Sequence, residues 1–454
     1  MINKIIDINK INNAIKKAPI NKTEEILKKA LNLKMLTLTE IASLLNVNKR
    51  SELKKIYRAS SQLKDKIFGQ RIVLFAPLYL SNECINNCLY CGFRKSNTTE
   101  SRITLSIEEI VNQALILEQT GFKRILLVVS ENPEKITIPY LISAIKNIYK
   151  NTGIRIVHLN SAPFDVNGFK KLHNAGLGVY QLFQETYHPE TYFYMHPGEK
   201  EKDYNYRISA MDRAIKGGIN DVGIGSLFGL YDYKFETLAL ISHSRHLENK
   251  FGCTAHTISV PRLRPAQGAP IQITKYCIND EEFKKIVAVL RLAVPTSGIV
   301  ISTRESAQLR NEVIHIGASQ ISAGSRTSPC GYSNKNGEWL EQFEIEDFRP
   351  LDKVIYDLAC QDVIPSLCTT CYRVGRTGPN FKLKAHSGKI KNFCLPNALL
   401  TLQEYLIDYA SLQTKTVCDK IINKHLKNRK KYSLPLNFAL KLEEIAKGKR
   451  DIFY

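Results

Sequence analysis

The chain has 454 residues, 44% of them hydrophobic, and a formal net charge of +21. This composition is typical of a globular protein, and no apolar run approaches the roughly 18 residues that a membrane span requires. Because the lysines are spread along the sequence, the charge does not by itself indicate a nucleic-acid partner. We therefore expect neither nucleic acid nor a membrane among its partners. The N-terminus lacks the apolar segment of a secretory signal, so a cytoplasmic location is predicted.

The eleven cysteines are an odd number, and six of them fall into two spaced groups. Secreted disulfide scaffolds are short and evenly paired, whereas a long chain with clustered cysteines is typical of an intracellular metal-binding protein. The cysteine pattern therefore favours metal sites over disulfides.

Residues 1–68 are predicted to form a helical arm. The stretch ILKKALNLKMLTLTEIASLLN carries apolar residues at helical spacing, with Thr37 or Thr39 as a helix N-cap. A second helical pattern follows and ends at Gly69. Nothing in this arm indicates catalysis.

From residue 69 to residue 329 short apolar runs alternate with amphipathic segments. The runs are Ile72–Leu80, Arg124–Val129, Arg155–Asn160, Gly178–Phe183, Asp221–Ser226, Thr257–Pro261, Ile299–Thr303 and Gln320–Ala323. The helical patterns are Ile107–Gln119, Tyr140–Tyr149, Gly168–Ala175, Ile208–Lys216, Phe235–Lys250, Asp280–Leu292 and Ala307–His315. Eight such repeats predict an α/β fold with a (β/α)8 barrel, whose active site lies at the carboxyl ends of the strands.

Three cysteines follow the first run, in NECINNCLYCGFR. Cys84, Cys88 and Cys91 have Cys-x3-Cys-x2-Cys spacing. Three thiolates on one loop can hold three corners of a cubic iron–sulfur cluster and leave one iron open to a small molecule. A zinc site is the alternative, but it needs a fourth nearby ligand, and the nearest downstream histidine is His158.

Further polar residues follow other runs, where a barrel would place its active site. Candidate ligands of a cofactor are Glu131 in VVSENP, Glu185 in QETY, and Gly223 and Gly225 in GIGS, because glycine lets backbone approach a ligand closely. The alternative for either glutamate is a structural or solvated acid.

Two other residues at these positions are candidates for binding substrate. Arg304 in STRES suits bidentate binding of a substrate carboxylate, with Ser322 in SAGSRT as a neutral partner. The alternative for Arg304 is an ion pair with Glu305.

Residues 330–454 are predicted to be a second, mainly helical unit. Cys368, Cys371 and Cys394 form a second three-cysteine group, which favours a second cluster. Zinc with Cys360 or Cys418 as a fourth ligand is the alternative. The segment PNALLTLQEYLIDYASLQ is predicted to be an amphipathic helix that caps this site.

The first cysteine motif, with Tyr90 before its last cysteine, resembles that of the radical S-adenosylmethionine (SAM) enzymes. From about Leu31 to about Leu412 the chain resembles the HydG family of radical SAM tyrosine lyases, which serve [FeFe]-hydrogenase maturation. The most specific stretches are RIVLFAPLYLSNECINNCLYCGFR, YQLFQETYHPETY, DVGIGSLFGLYDYKFE, HTISVPRLRPA, QISAGSRT and CTTCYRVGRTG with NFCLPNALLTLQEYLIDYA. The family has a Gly-Gly-Glu motif here; in VVSENP of this chain the glycines are replaced and only the glutamate, Glu131, is kept.

This resemblance implies two [4Fe-4S] clusters, one that binds SAM and an auxiliary one with an extra iron. It implies that L-tyrosine is cleaved between Cα and Cβ to p-cresol and dehydroglycine, which then becomes carbon monoxide and cyanide on iron. His256, which opens the sixth run and has no acid beside it in the sequence, is implied to bind the extra iron through a non-protein cysteine. Implied partners are cysteine, iron, an electron donor such as flavodoxin or ferredoxin, and the other hydrogenase maturases.

Two other interpretations are considered. The 2-iminoacetate synthase of thiamine biosynthesis shares the tyrosine cleavage but lacks the second cysteine group. A cluster-carrying scaffold without radical catalysis would need neither a SAM pocket nor a substrate pocket, and the polar residues at the strand ends argue against it.

Overall fold

A computed structural model describes residues 5–19, 22–99, 101–198, 202–333 and 341–454. In these ranges eight parallel strands close into a barrel, because the first strand pairs with both the second and the eighth. The strands are β1 Arg71–Ser81, β2 Arg124–Val129, β3 Ile156–Asn160, β4 Leu177–Glu185, β5 Val222–Ser226, β6 Thr257–Ser259, β7 Gly298–Ile301 and β8 Gln320–Ser322, with β9 Ile364–Ser366 added beside β1. The predicted barrel is confirmed, and each of its eight strands overlaps the predicted run.

The connecting helices cover the outside of the barrel. They are α5 Ile107–Gln119, α6 Ile138–Asn151, α7 Val166–Asn174, α8 Pro189–Met195, α9 Tyr204–Ile208, α10 Ala210–Lys216, α11 Tyr233–Phe251, α12 Asp280–Ala293 and α13 Ala307–Ile316. Since the strands are buried on both faces, they are continuous apolar runs rather than alternating ones. Helix α8 was not predicted, and the pattern predicted as one helix over Ile208–Lys216 is divided between α9 and α10.

The helical arm precedes the barrel and packs on it. Its helices are α1 Ile8–Lys16, α2 Thr23–Leu31, α3 Leu38–Asn46 and α4 Arg50–Phe68. Thr37 caps α3 in a capping box with Glu40, which confirms one of the two predicted caps. Helix α4 ends at Gly69, whose φ of 70° lies in the region that glycine adopts at the least cost. Lys64 on this helix donates to the carbonyl of Ile314 at 3.0 Å, which joins the arm to the barrel.

The chain beyond the barrel adds helices and one unpredicted strand. The helices are α14 Leu351–Cys360, α15 Thr370–Arg373, α16 Gly378–His386, α17 Lys391–Asp408, α18 Leu412–Lys427 and α19 Phe438–Ala446. Strand β9 pairs in parallel with the first residues of β1. The two units predicted on either side of residues 329 and 330 therefore share one sheet. This pairing carries Cys368 and Cys371 to the amino ends of the barrel strands. None of the described helices is long and apolar enough to cross a membrane.

Candidate functional site

A cavity of about 210 Å³ opens at the carboxyl ends of the barrel strands; we call it the upper cavity. It brings together seven residues that the sequence placed near a site, namely Cys84, Cys88, Cys91, Glu131, Glu185, Arg304 and Ser322. They come from loops or strand ends on five different strands. The expectation that polar residues after the apolar runs meet at one end of the barrel is therefore confirmed for this group.

The cysteine loop leaves β1 and is held in place by Arg102. The guanidinium of Arg102 donates to the carbonyls of Asn82 (2.6 Å), Phe93 (2.9 Å), Arg94 (2.6 Å) and Asn97 (2.7 Å). Four charge-assisted hydrogen bonds from one side chain fix the loop on both sides of its cysteines. Sequence reasoning missed Arg102, because no motif marks an arginine that binds backbone carbonyls.

The three loop cysteines fit a cluster by their chemistry and surroundings. Cys88 is buried, while Cys84 and Cys91 are partly buried and pack against an apolar group that includes Tyr79 and Phe93. The described residues contain no group of three or more His, Cys, Asp or Glu side chains placed to hold a single metal ion. The thiols instead line the wall of a cavity, next to its apolar side.

The end of β2 is joined to the cysteine loop through Ser130 and Glu131. The hydroxyl of Ser130 donates to the carbonyl of Glu83 at 2.7 Å, and the backbone N–H of Ile85 donates to the carbonyl of Glu131 at 2.9 Å. The carboxylate of Glu131 accepts from the side-chain amide of Asn86 at 2.7 Å. Where the resemblance predicts glycines, this chain has a serine whose hydroxyl binds the cysteine loop, and Glu131 still lines the cavity.

Glu185 ends β4 in a strained conformation. Its φ of 67° is uncommon for a residue with a side chain, and its carboxylate lies 3.7 Å from the Arg207 guanidinium. Its carbonyl accepts from the N–H of Leu227 at 2.7 Å and from the Ser226 hydroxyl at 2.8 Å. The turn that presents Glu185 to the cavity is therefore held by hydrogen bonds from the neighbouring strand end.

A buried acid, Glu236, lies beneath this turn. Its carboxylate accepts from the hydroxyls of Thr186 (2.5 Å) and Ser226 (2.8 Å) and from the N–H of Tyr187 (3.0 Å). Burial raises the pKa of Glu236 to about 7, although these hydrogen bonds oppose the shift. Sequence reasoning missed this residue, since its position inside α11 looks like any helical glutamate.

Gly223 and Gly225 lie on β5 but not in the wall of the upper cavity. A Cβ at Gly223 would meet the side chain of Gln181 at 2.7 Å, and one at Gly225 would meet Phe183 at 2.5 Å. Both of those side chains do line the cavity. The glycines thus make room for their neighbours on β4, and a direct backbone contact with a cofactor stays a prediction.

Arg304 follows β7 and lies partly buried in the cavity wall. Its guanidinium stacks on the Phe343 ring, 3.2 Å from the centroid, and donates to the carbonyl of Arg262 at 3.3 Å. Burial lowers its pKa to about 10, which leaves it charged at neutral pH. The alternative pairing with Glu305 is not formed, because Arg262 and Arg264 bind that carboxylate. Ser322 lines the same cavity.

A smaller cavity of about 50 Å³, the lower cavity, lies at the amino ends of the strands. It brings together Cys368, Cys371, Cys394 and His256. A hydrogen bond from Cys371 and the nearby Arg71 guanidinium lower the pKa of the Cys394 thiol to about 6. Three thiols in one cavity fit a second cluster. Arg71 favours the thiolate form of Cys394, whereas the hydrogen bond to Cys394 and burial raise the pKa of the Cys371 thiol.

No acid flanks His256 in the sequence, but the fold brings one to it. Asp221 stands just before β5, and its Oδ1 atom lies 3.3 Å from Nδ1 of His256. The sequence hid this contact because the two residues are 35 positions apart and meet only through strand pairing. The other ring nitrogen, Nε2, lies 3.0 Å from the Tyr372 hydroxyl. A carboxylate that accepts a hydrogen bond from a histidine is the usual arrangement for orienting a metal ligand; here Asp221 lies at ion-pair distance, and Nδ1 makes no hydrogen bond to any described residue.

Comparisons with known sequences agree with this geometry. The Radical SAM superfamily matches residues 78–241, and the Biotin and Thiamin Synthesis associated domain matches residues 259–364. The chain is 31% identical to the 2-iminoacetate synthase of Escherichia coli (strain K12) over 349 residues, which are 76% of this chain and 90% of that enzyme.

Two solved structures cover nearly the whole chain. One is the crystal structure of HydG, a maturase of the [FeFe]-hydrogenase, with 46% identity and a TM-score of 0.94 over 100% of both chains. The other is the [FeFe]-hydrogenase maturase HydG from Carboxydothermus hydrogenoformans, with 37% identity and a TM-score of 0.83 over 97% of this chain and 96% of that one.

Proposed function

The chain belongs to the radical SAM superfamily and to the HydG family within it, and we propose that it is the tyrosine lyase of an [FeFe]-hydrogenase maturation system. It cleaves the Cα–Cβ bond of L-tyrosine to p-cresol and dehydroglycine, and dehydroglycine is converted to carbon monoxide and cyanide on iron for assembly of the hydrogenase active site. The observation that carries the proposal is one barrel with a three-cysteine cavity at each end, the lower one completed by His256.

In the upper cavity Cys84, Cys88 and Cys91 hold a [4Fe-4S] cluster, which with bound SAM supplies a 5′-deoxyadenosyl radical. Glu131 and Glu185 face the same space and accept hydrogen bonds from the ammonium and hydroxyl groups of SAM. Arg102 keeps the cysteine loop in register with these acids through its four carbonyl contacts. The side chains of this cavity would thus orient the cluster and SAM relative to each other.

Arg304 and Ser322 bind the tyrosine carboxylate. The Arg304 guanidinium is partly buried, charged and stacked on Phe343, and within the described ranges it makes no ion pair. A fixed guanidinium with available N–H groups matches a carboxylate in geometry and charge. The cavity wall beside it is apolar, with Phe75, Leu126 and Val300 among its residues, and it keeps water away from a reactive radical.

In the lower cavity Cys368, Cys371 and Cys394 hold the auxiliary [4Fe-4S] cluster. His256, whose Nδ1 lies 3.3 Å from Asp221, would hold the extra iron of this site together with a non-protein cysteine. For Nε2 of His256 to serve as the ligand, it must exchange its contact with the Tyr372 hydroxyl for the iron. Other partners in this proposal are an electron donor such as flavodoxin or ferredoxin and the remaining hydrogenase maturases.

The proposal is tested by measuring p-cresol. The protein is reconstituted anaerobically with iron and sulfide and then reduced in the presence of SAM and L-tyrosine. Equal release of p-cresol and 5′-deoxyadenosine is expected, and no p-cresol at all would refute the lyase activity.

The match to 2-iminoacetate synthase supports a second candidate, the thiamine-pathway enzyme with the same tyrosine cleavage. Addition of iron and cysteine separates the two functions. Carbon monoxide and cyanide are expected for the maturase, whereas dehydroglycine and its hydrolysis product glyoxylate alone would favour the synthase.

A further inference from the structure

Gln342 lines the upper cavity, and its backbone lies against the cysteine loop. The N–H of Gly92 donates to the carbonyl of Gln342 at 3.2 Å, and the N–H of Gln342 donates to the carbonyl of Thr327 at 3.0 Å. A Cβ at Gly92 would lie 3.0 Å from the carbonyl oxygen of Glu341 and 3.2 Å from that of Gln342. The residue after Cys91 must therefore be small, and its close approach fixes the backbone of Gln342 beside a cysteine of the proposed cluster.

The side chain of Gln342 joins Cys91 to Tyr79. Its Nε2 atom donates to the Sγ atom of Cys91 at 3.8 Å, and its Oε1 atom accepts from the Tyr79 hydroxyl at 2.8 Å. The first contact would be too long for an oxygen acceptor, but sulfur is a larger atom. A chain of hydrogen bonds thus runs from a buried phenol to a thiol that binds the cluster. We call Tyr79, Gln342 and Cys91 the relay.

The chemistry of its two ends fixes the direction of the relay. A thiolate that binds iron can only accept a hydrogen bond, so the NH2 group of Gln342 must face Cys91. The amide carbonyl then faces Tyr79, whose hydroxyl can donate. Tyr79 is 4% exposed, and its ring packs edge-on against Phe93 with 6.0 Å between the ring centroids. The hydroxyl is therefore held in place, and it holds the amide in the orientation that points a donor at sulfur.

A donor that points at a cluster sulfur affects the reduction potential. Reduction adds one electron to the cluster and increases the negative charge that its sulfur ligands carry. An N–H group directed at such a sulfur therefore stabilises the reduced form more than the oxidised form. Hydrogen bonds to the sulfurs are among the factors that set the potentials of iron–sulfur clusters. Removing this donor should lower the potential.

We propose that Gln342 raises the reduction potential of the upper cluster through its hydrogen bond to Cys91, and that Tyr79 orients Gln342 for this contact. The proposal rests on the proposed function for the cluster itself, but it concerns how easily an electron donor delivers one electron to that cluster. Phe343, the next residue, stacks on Arg304, so the same segment also contacts the residue proposed to bind tyrosine. The experiment therefore has to separate an effect on the potential from an effect on tyrosine binding.

Redox titration of the reconstituted protein, followed by electron paramagnetic resonance, measures the potential of each cluster. The signal of the upper cluster is the one that changes when SAM is added to a reduced sample. The variants are Gln342→Met, which keeps the size of the side chain but removes the donor, and Tyr79→Phe, which removes only the hydroxyl. Gln308→Met, which alters an exposed glutamine of α13, is the control. Iron analysis verifies that each variant carries both clusters, and the apparent tyrosine constant is measured for each.

Gln342→Met is expected to lower the midpoint potential of the upper cluster by about 30–60 mV, which is a roughly three- to tenfold change in the one-electron reduction equilibrium. Tyr79→Phe should shift the potential in the same direction by a smaller amount, because the amide keeps its donor but loses its fixed orientation. The control variant and the lower cluster should keep their potentials. An unchanged or higher potential in Gln342→Met overturns the proposal, and so does an altered tyrosine constant without any shift in potential.

The remaining outcomes are also decisive. A shift in Gln342→Met without one in Tyr79→Phe overturns the orienting role of Tyr79 alone. If Gln342→Met does not keep the upper cluster, Tyr79→Phe decides: a lower potential supports the relay, and an unchanged one overturns it. A wild-type protein that forms no p-cresol, but whose potential falls in Gln342→Met, would refute the lyase activity and leave the relay standing.

Discussion

The two cavities of the barrel differ in how their charges are balanced. The wall of the upper cavity carries side chains of both charges, since the acids Glu131 and Glu185 face the same space as the cation Arg304. The lower cavity combines thiols with Arg71 and Arg124 and has no acid in its wall. A wall with both signs suits amino acids such as SAM and tyrosine, which carry an ammonium and a carboxylate, whereas a cationic wall suits thiolates and anions. The difference indicates that the two ends of one barrel bind different chemical classes of ligand.

Removing one ligand of the upper cluster should give the largest effect. Cys88→Ala is expected to abolish both SAM cleavage and p-cresol formation, because the radical originates there. Quantification of 5′-deoxyadenosine and p-cresol checks this result, and Cys360→Ala, which alters an exposed cysteine, is the matched control. A Cys88→Ala protein that cleaves SAM at the normal rate would contradict the assignment.

Removing one cysteine of the lower cavity should distinguish the functions of the two cavities. Cys394→Ala is expected to leave p-cresol formation largely intact and to stop the formation of carbon monoxide on iron. Iron content should fall by one cluster, roughly four irons for a cubic centre. Cys418→Ala, another buried cysteine in the same unit, serves as the control. Full loss of p-cresol in Cys394→Ala would instead mean that the lower cavity stabilises the whole barrel.

His256 tests whether the lower cavity is more than a cluster site. His256→Ala should keep both clusters and tyrosine cleavage but lose the extra iron and the ability to support hydrogenase activation. Electron paramagnetic resonance of the auxiliary cluster and iron analysis measure this loss. An unchanged spectrum together with normal hydrogenase activation would show that His256 only packs against Tyr372 and Asp221.

Arg304 tests the charge balance of the upper cavity. A hydrogen bond to a charged group contributes about 1.5–3 kcal/mol, so Arg304→Lys should raise the apparent tyrosine constant roughly tenfold or more. The SAM constant should hold, because Glu131 and Glu185 are unchanged. Steady-state kinetics with each ligand varied in turn check both constants, and Arg326→Lys alters an exposed arginine as a control. A fall in SAM affinity with tyrosine unchanged would reverse the assigned roles.

Much of the fold could be predicted from the sequence, because a buried strand or helix face leaves a pattern of apolar residues in the local sequence. Strand β2 and helix α5 have the predicted bounds, and the cysteine loop lies where the first run predicted it. Contacts between distant segments could not be predicted in this way. The pairing of β9 with β1, the contact of Asp221 with His256 and the binding of Arg102 to the cysteine loop depend on tertiary packing, which leaves no local pattern. The charge balance of the lower cavity was missed for the same reason.

Glu236 offers the subtlest test, because it acts on the upper cavity only through the turn that carries Glu185. Burial raises its pKa from an ordinary value of 4.5 to about 7, so the folded protein binds a proton more tightly than the unfolded chain. Glu236 therefore destabilises the folded state progressively as the pH rises from 4.5 to about 7, and the loss is complete above that range. In Glu236→Gln, which cannot titrate, the free energy of unfolding should lose this decline. Denaturant unfolding at several pH values measures the difference, with Glu248→Gln on the same helix as a partly exposed control. If wild type and Glu236→Gln show the same pH dependence, the pKa of Glu236 is the same in the folded and unfolded states, and its three hydrogen-bond donors balance its burial.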